Sequence, residues 1–532
     1  MPSIVAELMR LEEEKGWLSE PDLRALAERL GVPLHRLESV STFYTHFRRS
    51  PRSRIALQVC RDLSCALAGG PAAAQKLREV LAGRDDVEIQ EVSCLGRCDG
   101  APVAAVGHRV LSLSDTKDAL AALEGSACVA ADRPEQHWGA AEIYADASEH
   151  YSTLRAALAD ELPPLARTLE DSGLRGMGGA GFPTGRKWSL VASEPAAPKY
   201  VICNADESEP GTFKDRDILL DLPHLVIEGM ALAACCIGAE RGWVFIRHEY
   251  EPERRALQAA IHEARAMGAL GPSIFGSSFH FDVEIFVSPG GYILGEETAL
   301  LECMEDRRGE PRNKPPFPGR AGLWGQPTLI NNVETVAHAT GILRNGVEWW
   351  RSLGRPGFAG HKFIAVSGDV AEPRVVLVPL GTTLGELLEQ CGGMRDGRPL
   401  AAIVPGGASS NFLPPDRLDV AIDFKTLQDA GSMLGSGAVL FISDEHDLLD
   451  AALNVTRFFR NESCGKCVPC RVGSEKAVKL VEEAGGVSEG DAQLLRELNA
   501  TLARTSICGL GQVALGPLLS VLANFPDRVR RG

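Results

Sequence analysis

The sequence lacks a run of about 18 apolar residues, so it predicts no membrane-spanning helix. It also lacks an export signal, because the N-terminal stretch MPSIVAELMRLEEEKGW is acidic and amphipathic rather than basic and then apolar. Positive charge is not in excess either: the formal net charge is −16, which argues against binding to a phosphate backbone. We therefore expect a cytoplasmic protein with no direct membrane span that binds no nucleic acid.

The 532 residues are enough for roughly three or four domains. Fourteen cysteines are present, and without an export signal they are not expected to form disulfides. Metal ligation or redox chemistry is the better interpretation for those that cluster.

The first cysteine cluster has the spacing Cys60-x4-Cys65 and Cys94-x3-Cys98, and each pair follows a predicted strand. Four thiolates at two loop ends can hold zinc or a 2Fe–2S cluster. Zinc usually takes C-x2-C pairs, whereas C-x4-C opens the plant-type 2Fe–2S spacing, so iron–sulfur is favoured over zinc. The region has no C-x2-C motif, which argues against a disulfide oxidoreductase.

The second cluster has the spacing Cys464-x2-Cys467-x2-Cys470 with a remote partner, Cys508. This is the ferredoxin-like arrangement for a 4Fe–4S cluster, with zinc as the alternative. Helical patterns flank it, so we expect the ligands at helix junctions. The remaining cysteines have no ligand spacing and are interpreted as buried structural thiols: Cys128, Cys203, Cys235, Cys236, Cys303 and Cys391.

Hydrophobic periodicity and turn residues predict the following elements. Helices are expected over Ile4–Lys15, from Glu20, from Pro33, and over 71–81, 115–123, 154–169 and 384–390; strands are expected over 54–60, 87–92, 102–106, 200–203, 363–366 and 374–378.

A glycine-rich stretch, RGMGGAGFPTGRKW, occupies residues 175–188. Glycine backbone can approach a phosphate or a flat ring closely, and Lys187 adds a cation. The stretch matches G-x-G-x-x-G, but the dinucleotide fingerprint must follow a strand and open a helix. Here a helical pattern precedes it and the strand 200–203 follows, so the order is not that of an ordinary βαβ unit. A glycine-rich surface turn is the alternative.

Polar residues follow apolar segments at several later points: residues 204–212 (NADESEPGT), 290–298 (GGYILGEET), 314–318 (KPPFP) and 331–335 (NNVET). Carboxylates directly after a strand lie at its C-terminal end, where α/β proteins bind ligands. A solvated acidic turn and a carboxylate pair for glycoside hydrolysis are the alternatives.

Two known subunits resemble successive parts of the chain. Residues 5–125, with STFYTHF and the first cysteine cluster, resemble the thioredoxin-like 2Fe–2S subunit of NADH dehydrogenases. Residues 155–520, with the glycine-rich and polar stretches in the same order, resemble the NADH- and FMN-binding subunit of complex I. The resemblance implies a multidomain α/β protein: a thioredoxin-like 2Fe–2S domain (1–125), a linker (126–150), a Rossmann-like FMN/NADH domain (151–350), a ubiquitin-like β-grasp domain (355–440) and a C-terminal helical bundle with a 4Fe–4S cluster (441–532).

The resemblance also implies the binding residues. Those expected around FMN are Gly176, Gly178, Lys187, Asn204, Asp206, Glu207, Tyr292, Gly295, Glu296, Asn331, Asn332 and Thr335; those expected to face NAD(H) are Phe182, Glu209, Glu297, Lys314 and Phe317. The carboxylates of Glu209 and Glu297 would accept hydrogen bonds from ribose hydroxyls and would repel a 2′-phosphate, which favours NAD over NADP. The chain departs from the complex I pattern at two positions. Met177 stands where Arg is usual, and Leu294 stands where Cys is often found. The β-grasp unit is interpreted as spacer and packing.

Fusion of the two modules, without further C-terminal ferredoxin cysteines, looks most like the β subunit of cytosolic NAD-dependent molybdenum formate dehydrogenases. This implies hydride exchange between NAD(H) and FMN and single-electron exchange with the clusters, with NAD reduced by electrons from formate. The implied partners are a molybdenum- and iron–sulfur-containing catalytic subunit and a small 2Fe–2S subunit. Hydride transfer needs no side-chain acid or base, so we assign no catalytic residue. The alternatives are a diaphorase subunit of an NAD-linked hydrogenase, a complex I subunit, and a non-catalytic scaffold.

Overall fold

The computed structural model describes residues 3–51, 55–107, 109–123, 147–484 and 486–529. Cys128 and residues 126–146 of the predicted linker lie outside the described residues. The described chain contains three four-stranded sheets, and a group of C-terminal helices follows the last of them. This is the multidomain α/β architecture that the sequence predicts.

The first unit is a helical N-terminus followed by a small mixed sheet. Helix α1 begins where the Ser3 hydroxyl accepts the Ala6 N–H and ends at Gly16 in the left-handed region, with φ of 79°. The sheet order is β2-β1-β3-β4, with β1 parallel to β2 and antiparallel to β3. The elements are α1 (Ile4–Lys15), α2 (Glu20–Leu30), α3 (Leu34–Ser41), β1 (Ile55–Cys60), α4 (Leu63–Leu67), α5 (Gly70–Val80), β2 (Val87–Val92), β3 (Val103–Val106), β4 (Arg109–Ser112) and α6 (Thr116–Leu123).

The second unit contains an all-parallel sheet of order β7-β6-β5-β8. Its elements are α7 (Ser152–Leu158), α8 (Leu165–Ser172), α9 (Thr184–Ala192), β5 (Tyr200–Ala205), α10 (Lys214–Asp221), α11 (Pro223–Ile237), β6 (Arg241–Arg247), α12 (Glu251–Ala266), β7 (Asp282–Ser288), α13 (Glu297–Met304), α14 (Pro318–Ala321), β8 (Thr328–Asn332), α15 (Val333–Asn345) and α16 (Val347–Ser352). The chain turns to opposite sides of β5 to form β6 and β8, so a crevice opens at the C-terminal ends of β5 and β8.

One sequence prediction in this unit is wrong. The helical pattern predicted over 154–169 is two helices, α7 and α8, separated at residues 159–164. Pro163 and Pro164 explain the break, because proline lacks an N–H donor and disfavours helical backbone in the residue before it. The predicted order of the glycine-rich stretch is confirmed: it lies between α8 and α9, and β5 follows α9.

The third unit has a mixed sheet of order β10-β9-β12-β11, in which only the central pair, β9 and β12, is parallel. Its elements are β9 (His361–Gly368), β10 (Arg374–Pro379), α17 (Leu384–Gln390), β11 (Leu400–Val404), α18 (Phe424–Asp429) and β12 (Ala438–Ser443). The C-terminal helices are α19 (Leu448–Asn461), α20 (Val468–Ala484), α21 (Glu489–Thr505), α22 (Gly509–Val513), α23 (Gly516–Asn524) and α24 (Pro526–Val529).

A continuous apolar core joins the units. One buried cluster includes Leu8 of α1, Phe245 of β6, Phe412 of the third unit and Leu518 of α23. Among the described residues, no single helix is long and apolar enough to cross a membrane; α10 and α11 meet that test only as a pair, bent by 94°.

Candidate active site

A cavity of about 1280 Å³ opens at the C-terminal ends of β5 and β8. It gathers every residue that the family resemblance assigns to FMN or NAD(H). These are Gly176, Gly178, Phe182, Lys187, Asn204, Asp206, Glu207, Glu209, Tyr292, Gly295, Glu296, Glu297, Lys314, Phe317, Asn331, Asn332 and Thr335. Residues up to 159 positions apart in sequence therefore face one space, as one ligand site requires.

The glycine-rich stretch forms one wall of this cavity, and its glycines are needed for close packing. A Cβ at Gly178 would lie 2.9 Å from Cβ of Asn332, and a Cβ at Gly185 would lie 2.2 Å from the Glu170 backbone nitrogen. The Met177 N–H donates to Oγ1 of Thr335 at 2.8 Å, which ties the stretch to α15. The result is an exposed glycine backbone held against the end of β8, a surface that a phosphate or a flat ring can approach closely.

The acidic segment after β5 is held mainly by contacts within the protein. Glu207 accepts the backbone N–H groups of Asp215 at 2.9 Å and Arg216 at 3.1 Å, together with the Tyr250 hydroxyl at 3.0 Å. Burial and the neighbouring Asp215 charge raise the pKa of Glu207 to about 8, and burial raises the pKa of Asp206 to about 7. Both carboxyl groups are thus poorly solvated where they line the cavity.

A buried cluster of charges lies behind the cavity wall. Oε2 of Glu334 is 2.9 Å from Nζ of Lys214 and 2.9 Å from Nζ of Lys362. Lys214 also pairs with Asp215 at 2.6 Å, and Asp215 accepts from Nδ2 of Asn332 at 2.5 Å. Burial lowers the pKa of Lys362 to about 8, although Glu334 opposes that effect. Lys362 belongs to β9, so this cluster joins the third unit to the parallel sheet.

Two carboxylates and two lysines form a chain on the cavity rim. Nζ of Lys314 is 2.9 Å from Glu296 and 3.5 Å from Glu297, and Nζ of Lys187 is 3.3 Å from Glu297. Burial would raise the pKa of Glu297, but the charges of Lys187 and Lys314 outweigh it and hold that pKa below its ordinary value. Glu297 is therefore ionised at neutral pH and can accept hydrogen bonds from a ligand.

The rim also carries apolar rings. The Phe182 and Phe317 side chains are 43% and 60% exposed, respectively, and both line the cavity. Exposed rings at a cavity mouth are suited to stacking on a planar heterocycle.

The third unit does more than space and pack, contrary to the sequence interpretation. Ser409, Met433, Gly435 and Ser436 line the cavity. Glu209 is buried, and its Oε1 accepts the Ser409 backbone N–H at 2.7 Å. The glycine turns at 406–407 and 435–437 resemble the first glycine-rich stretch in composition, and this was the available sequence signal. The third unit thus completes the cavity wall.

The first cysteine cluster is assembled and buried beside this site. Cys60, Cys65, Cys94 and Cys98 are all buried, the neighbouring Cys65 and Cys94 raise the pKa of Cys60, and Sγ of Cys94 is 3.5 Å from Sγ of Cys98. The buried Arg247 donates to the Cys94 carbonyl and to the Glu207 carbonyl, each at 2.5 Å. One side chain therefore connects the cysteine loop with the cavity wall.

The second cysteine cluster lies at the junctions of α19, α20, α21 and α22, as the sequence predicts. Cys464, Cys467 and Cys470 precede or begin α20, and Cys508 caps α22. Oγ of Ser463 is 3.2 Å from Sγ of Cys470, and a Cβ at Gly511 would lie 2.9 Å from Cβ of Cys470. Gly509, Leu510 and Val513 of α22 line the cavity, so this cluster abuts it directly.

The structure also shows how far the remaining cysteines are buried. Cys203, Cys303 and Cys391 are buried as predicted, whereas Cys235 and Cys236 on α11 are only half-buried. Among the residues described, no group of three or more His, Cys, Asp or Glu side chains is arranged to hold a metal ion. The assignment of iron–sulfur clusters therefore depends on the cysteine spacing and on the family matches below.

Four family models match the chain in succession. They are the thioredoxin-like [2Fe-2S] ferredoxin (residues 2–126), the Nuo51 FMN-binding domain (169–340), the SLBB domain (363–410) and the NADH-ubiquinone oxidoreductase-F iron-sulfur binding region (450–532). The donor types present fit these groups: four thiolates for each cluster, and glycine backbone, amides and a lysine for a flavin phosphate and ring. FMN, a 2Fe–2S cluster and a 4Fe–4S cluster are the cofactors of this chain, and NADH is its substrate.

Several curated relatives match over most of their own length. The F 2 subunit of the NADH-quinone oxidoreductase of Rhizobium meliloti is 45% identical over 71% of this chain and 91% of its own, and the F subunit of the Escherichia coli enzyme is 41% identical over 72% and 87%. The HndC subunit of the NADP-reducing hydrogenase of Solidesulfovibrio fructosivorans is 42% identical over 67% and 73%.

A solved structure matches the whole architecture. A chain of the NAD⁺-reducing [NiFe]-hydrogenase in the H2-reduced state has a TM-score of 0.88 and 29% identity, covering 100% of this chain and 94% of that one. With identities above 40% over most of several relatives, the protein belongs to the family of NADH-quinone oxidoreductase F subunits, which are FMN- and iron–sulfur-containing oxidoreductase components.

Proposed function

We propose that this chain couples the two-electron chemistry of NAD(H) to single-electron exchange with a partner subunit. The observation that carries the proposal is the meeting of three sites. The cavity touches α22 next to Cys508, and Arg247 connects its wall with Cys94. When bound, FMN would supply the acceptor for a hydride from NADH, and the iron–sulfur clusters would supply single-electron transfer.

The residues of the site would have the following binding roles. The backbone around Gly176 and Gly178 would approach the flavin, and Asn204 and Asn331 would bind its polar groups. Phe182 and Phe317 would hold the adenine at the rim, and Glu297 would accept ribose hydroxyls. No side chain needs to move a proton for the hydride step. The role of the protein is to orient the two rings and keep water from them.

The proposed activity can be measured without the natural partner. The purified, flavin-loaded chain should reduce ferricyanide with NADH as donor. Loss of the rim carboxylate in Glu297→Gln should raise KM for NADH, while flavin content stays the same. A flavin-loaded chain that does not reduce ferricyanide with NADH would contradict the proposal.

For the complex in which the chain works, two candidates stand beside complex I. The [NiFe]-hydrogenase chain covers both iron–sulfur modules as well as the flavin unit, which supports an NAD-linked hydrogenase-like complex. Formate is the second candidate donor, because the 2Fe–2S and flavin modules are fused in one chain, as in the formate dehydrogenase β subunits that the sequence resembles. In that complex a molybdenum-containing catalytic subunit would be the partner.

The two donors can be separated by purifying the tagged chain with its partners. NAD⁺ reduction would be followed with formate and with hydrogen as donors, alongside molybdenum and nickel analysis of the same sample. Formate-dependent reduction with molybdenum present would support the second candidate. Hydrogen-dependent reduction with nickel present would support the first.

A further inference from the structure

Two rim segments of the cavity carry the same pair of side chains. Phe182 precedes α9, and Arg186 lies in the first turn of that helix. Phe317 is the N-cap of α14, and Arg320 follows within that helix. All four residues line the cavity and are exposed. The two segments are adjacent, since a Cβ at Gly319 would lie 3.1 Å from Cγ2 of Val191.

The two arginines differ from the other rim cations in having no side-chain partner among the described residues. Lys187 and Lys314 are neutralised by Glu296 and Glu297 at 2.9 to 3.5 Å. In the described parts of the chain, no ion pair or side-chain hydrogen bond joins either arginine to another residue. Glu194 also lines the cavity, but its charge acts on Lys199: burial lowers the pKa of Lys199, and Glu194 opposes that effect.

Unpaired guanidinium groups beside exposed rings indicate an anionic ligand with an attached heterocycle. A dinucleotide has this form: its diphosphate lies one ribose away from the adenine. If Phe182 and Phe317 hold the adenine, an arginine within one helical turn of each ring is within reach of the diphosphate. A guanidinium donates a planar pair of N–H groups that matches two phosphate oxygens.

We propose that Arg186 and Arg320 bind the diphosphate of the nicotinamide dinucleotide and so position it over the flavin. This inference rests on the proposed function, because it takes the cavity as the NAD(H) site. The arginines are positioning residues rather than catalytic ones. They would add affinity for any dinucleotide, whereas Glu297 discriminates at the ribose.

The test compares two probes on the flavin-loaded full chain. ADP-ribose contains the diphosphate and adenosine does not. Arg186→Gln and Arg320→Gln should each raise the Kd for ADP-ribose by about 10- to 100-fold, since each removes a charge-assisted hydrogen bond. The Kd for adenosine should stay within about twofold of the parent value. Arg186→Lys should retain part of the affinity, because lysine keeps the charge but loses the planar fork.

Arg496→Gln is the matched control, because Arg496 is half-exposed on α21 and does not line the cavity. It should leave both Kd values unchanged, and flavin content and the thermal unfolding profile should be equal in all variants. Unchanged ADP-ribose binding in Arg186→Gln and Arg320→Gln would overturn the inference. So would equal losses for adenosine, which would assign the arginines to the ring slot, or a larger loss for NADPH than for NADH, which would assign them to a 2′-phosphate. A parent protein that binds neither ADP-ribose nor NADH would overturn the proposed function as well.

Discussion

The buried carboxylate of Glu334 should be the most sensitive single charge behind the cavity. It is fully buried, and its Oε2 is 2.9 Å from Nζ of Lys214 and of Lys362. Its Oε1 accepts a hydrogen bond from the Phe363 backbone N–H at 2.9 Å. The Glu334→Gln change keeps the shape but removes the carboxylate shared by Lys214 and Lys362, and leaves them with the charges of Asp215 and Glu207. Removing one partner of a buried ion pair costs about 3–5 kcal/mol. We expect a loss of that size in local stability.

Hydrogen exchange is the suitable assay, because a chain of several domains does not unfold in one step. The Phe363 amide reports directly, since its own acceptor is changed. A loss of about 3–5 kcal/mol should speed its exchange by about 10²- to 10⁴-fold. The control is Glu284→Gln, which breaks an exposed pair with Arg241 in the same unit and should cost less than about 1 kcal/mol. Equal effects of the two changes would refute the reasoning.

The pH dependence follows from the same contacts. Burial would raise the pKa of Glu334, but Lys214 and Lys362 outweigh it and hold the pKa below the ordinary 4.5. Stability from a carboxylate with a depressed pKa is fully present above the unfolded-state pKa and is lost as the pH falls through the folded-state value. Because Lys362 has a pKa of about 8 that depends on Glu334, the comparison is made at acidic pH, where the difference between the parent and Glu334→Gln should shrink below about pH 4.5. A difference that grows as the pH falls below about 4.5 would contradict this account.

Three more changes test other contacts. Glu297→Gln should weaken NADH binding about tenfold and reduce the preference for NADH over NADPH, measured as the ratio of the two kcat/KM values. An unchanged ratio would rule out the contact between Glu297 and the ribose. Cys467→Ala should abolish the 4Fe–4S electron paramagnetic resonance signal with flavin retained, and full iron content would contradict the ligand set. Glu462 accepts from Ser93 at 2.5 Å and from the Tyr292 N–H at 2.9 Å. Glu462→Gln should therefore speed exchange of the Tyr292 amide by about tenfold or more, and parent-like protection would contradict that contact.

Local patterns in the sequence predicted parts of the site, whereas the individual FMN and NAD(H) residues came from the family resemblance. Thiolate spacing predicted both cysteine clusters, because each set of ligands comes from one or two short loops. The polar residues after β5 could be placed at its C-terminal end, since a parallel strand presents its next residues at one edge. The glycine-rich stretch was predicted to follow a helix and to precede a strand, and α8 and β5 confirm this order of elements.

The features missed by the sequence analysis depend on contacts between distant segments. Lys362 is part of a strand pattern, and its pairing with Glu334 is set by how two units pack. The contact between Glu209 and Ser409 joins residues 200 positions apart. The separation of α7 from α8 does not depend on distant segments. Pro163 and Pro164 are visible in the sequence, and their effect on helix continuity was overlooked.

An anaerobic NADH titration of the purified chain, with flavin and iron counted on the same sample, tests the central claim most directly. The account predicts one flavin that bleaches with NADH and about six iron atoms per chain, two in one cluster and four in the other. It also predicts that cluster absorbance falls on addition of NADH, because the clusters receive electrons from the flavin. Bound zinc in place of iron, or a chain without flavin that does not respond to NADH, would contradict the claim and leave a scaffold with an oxidoreductase fold.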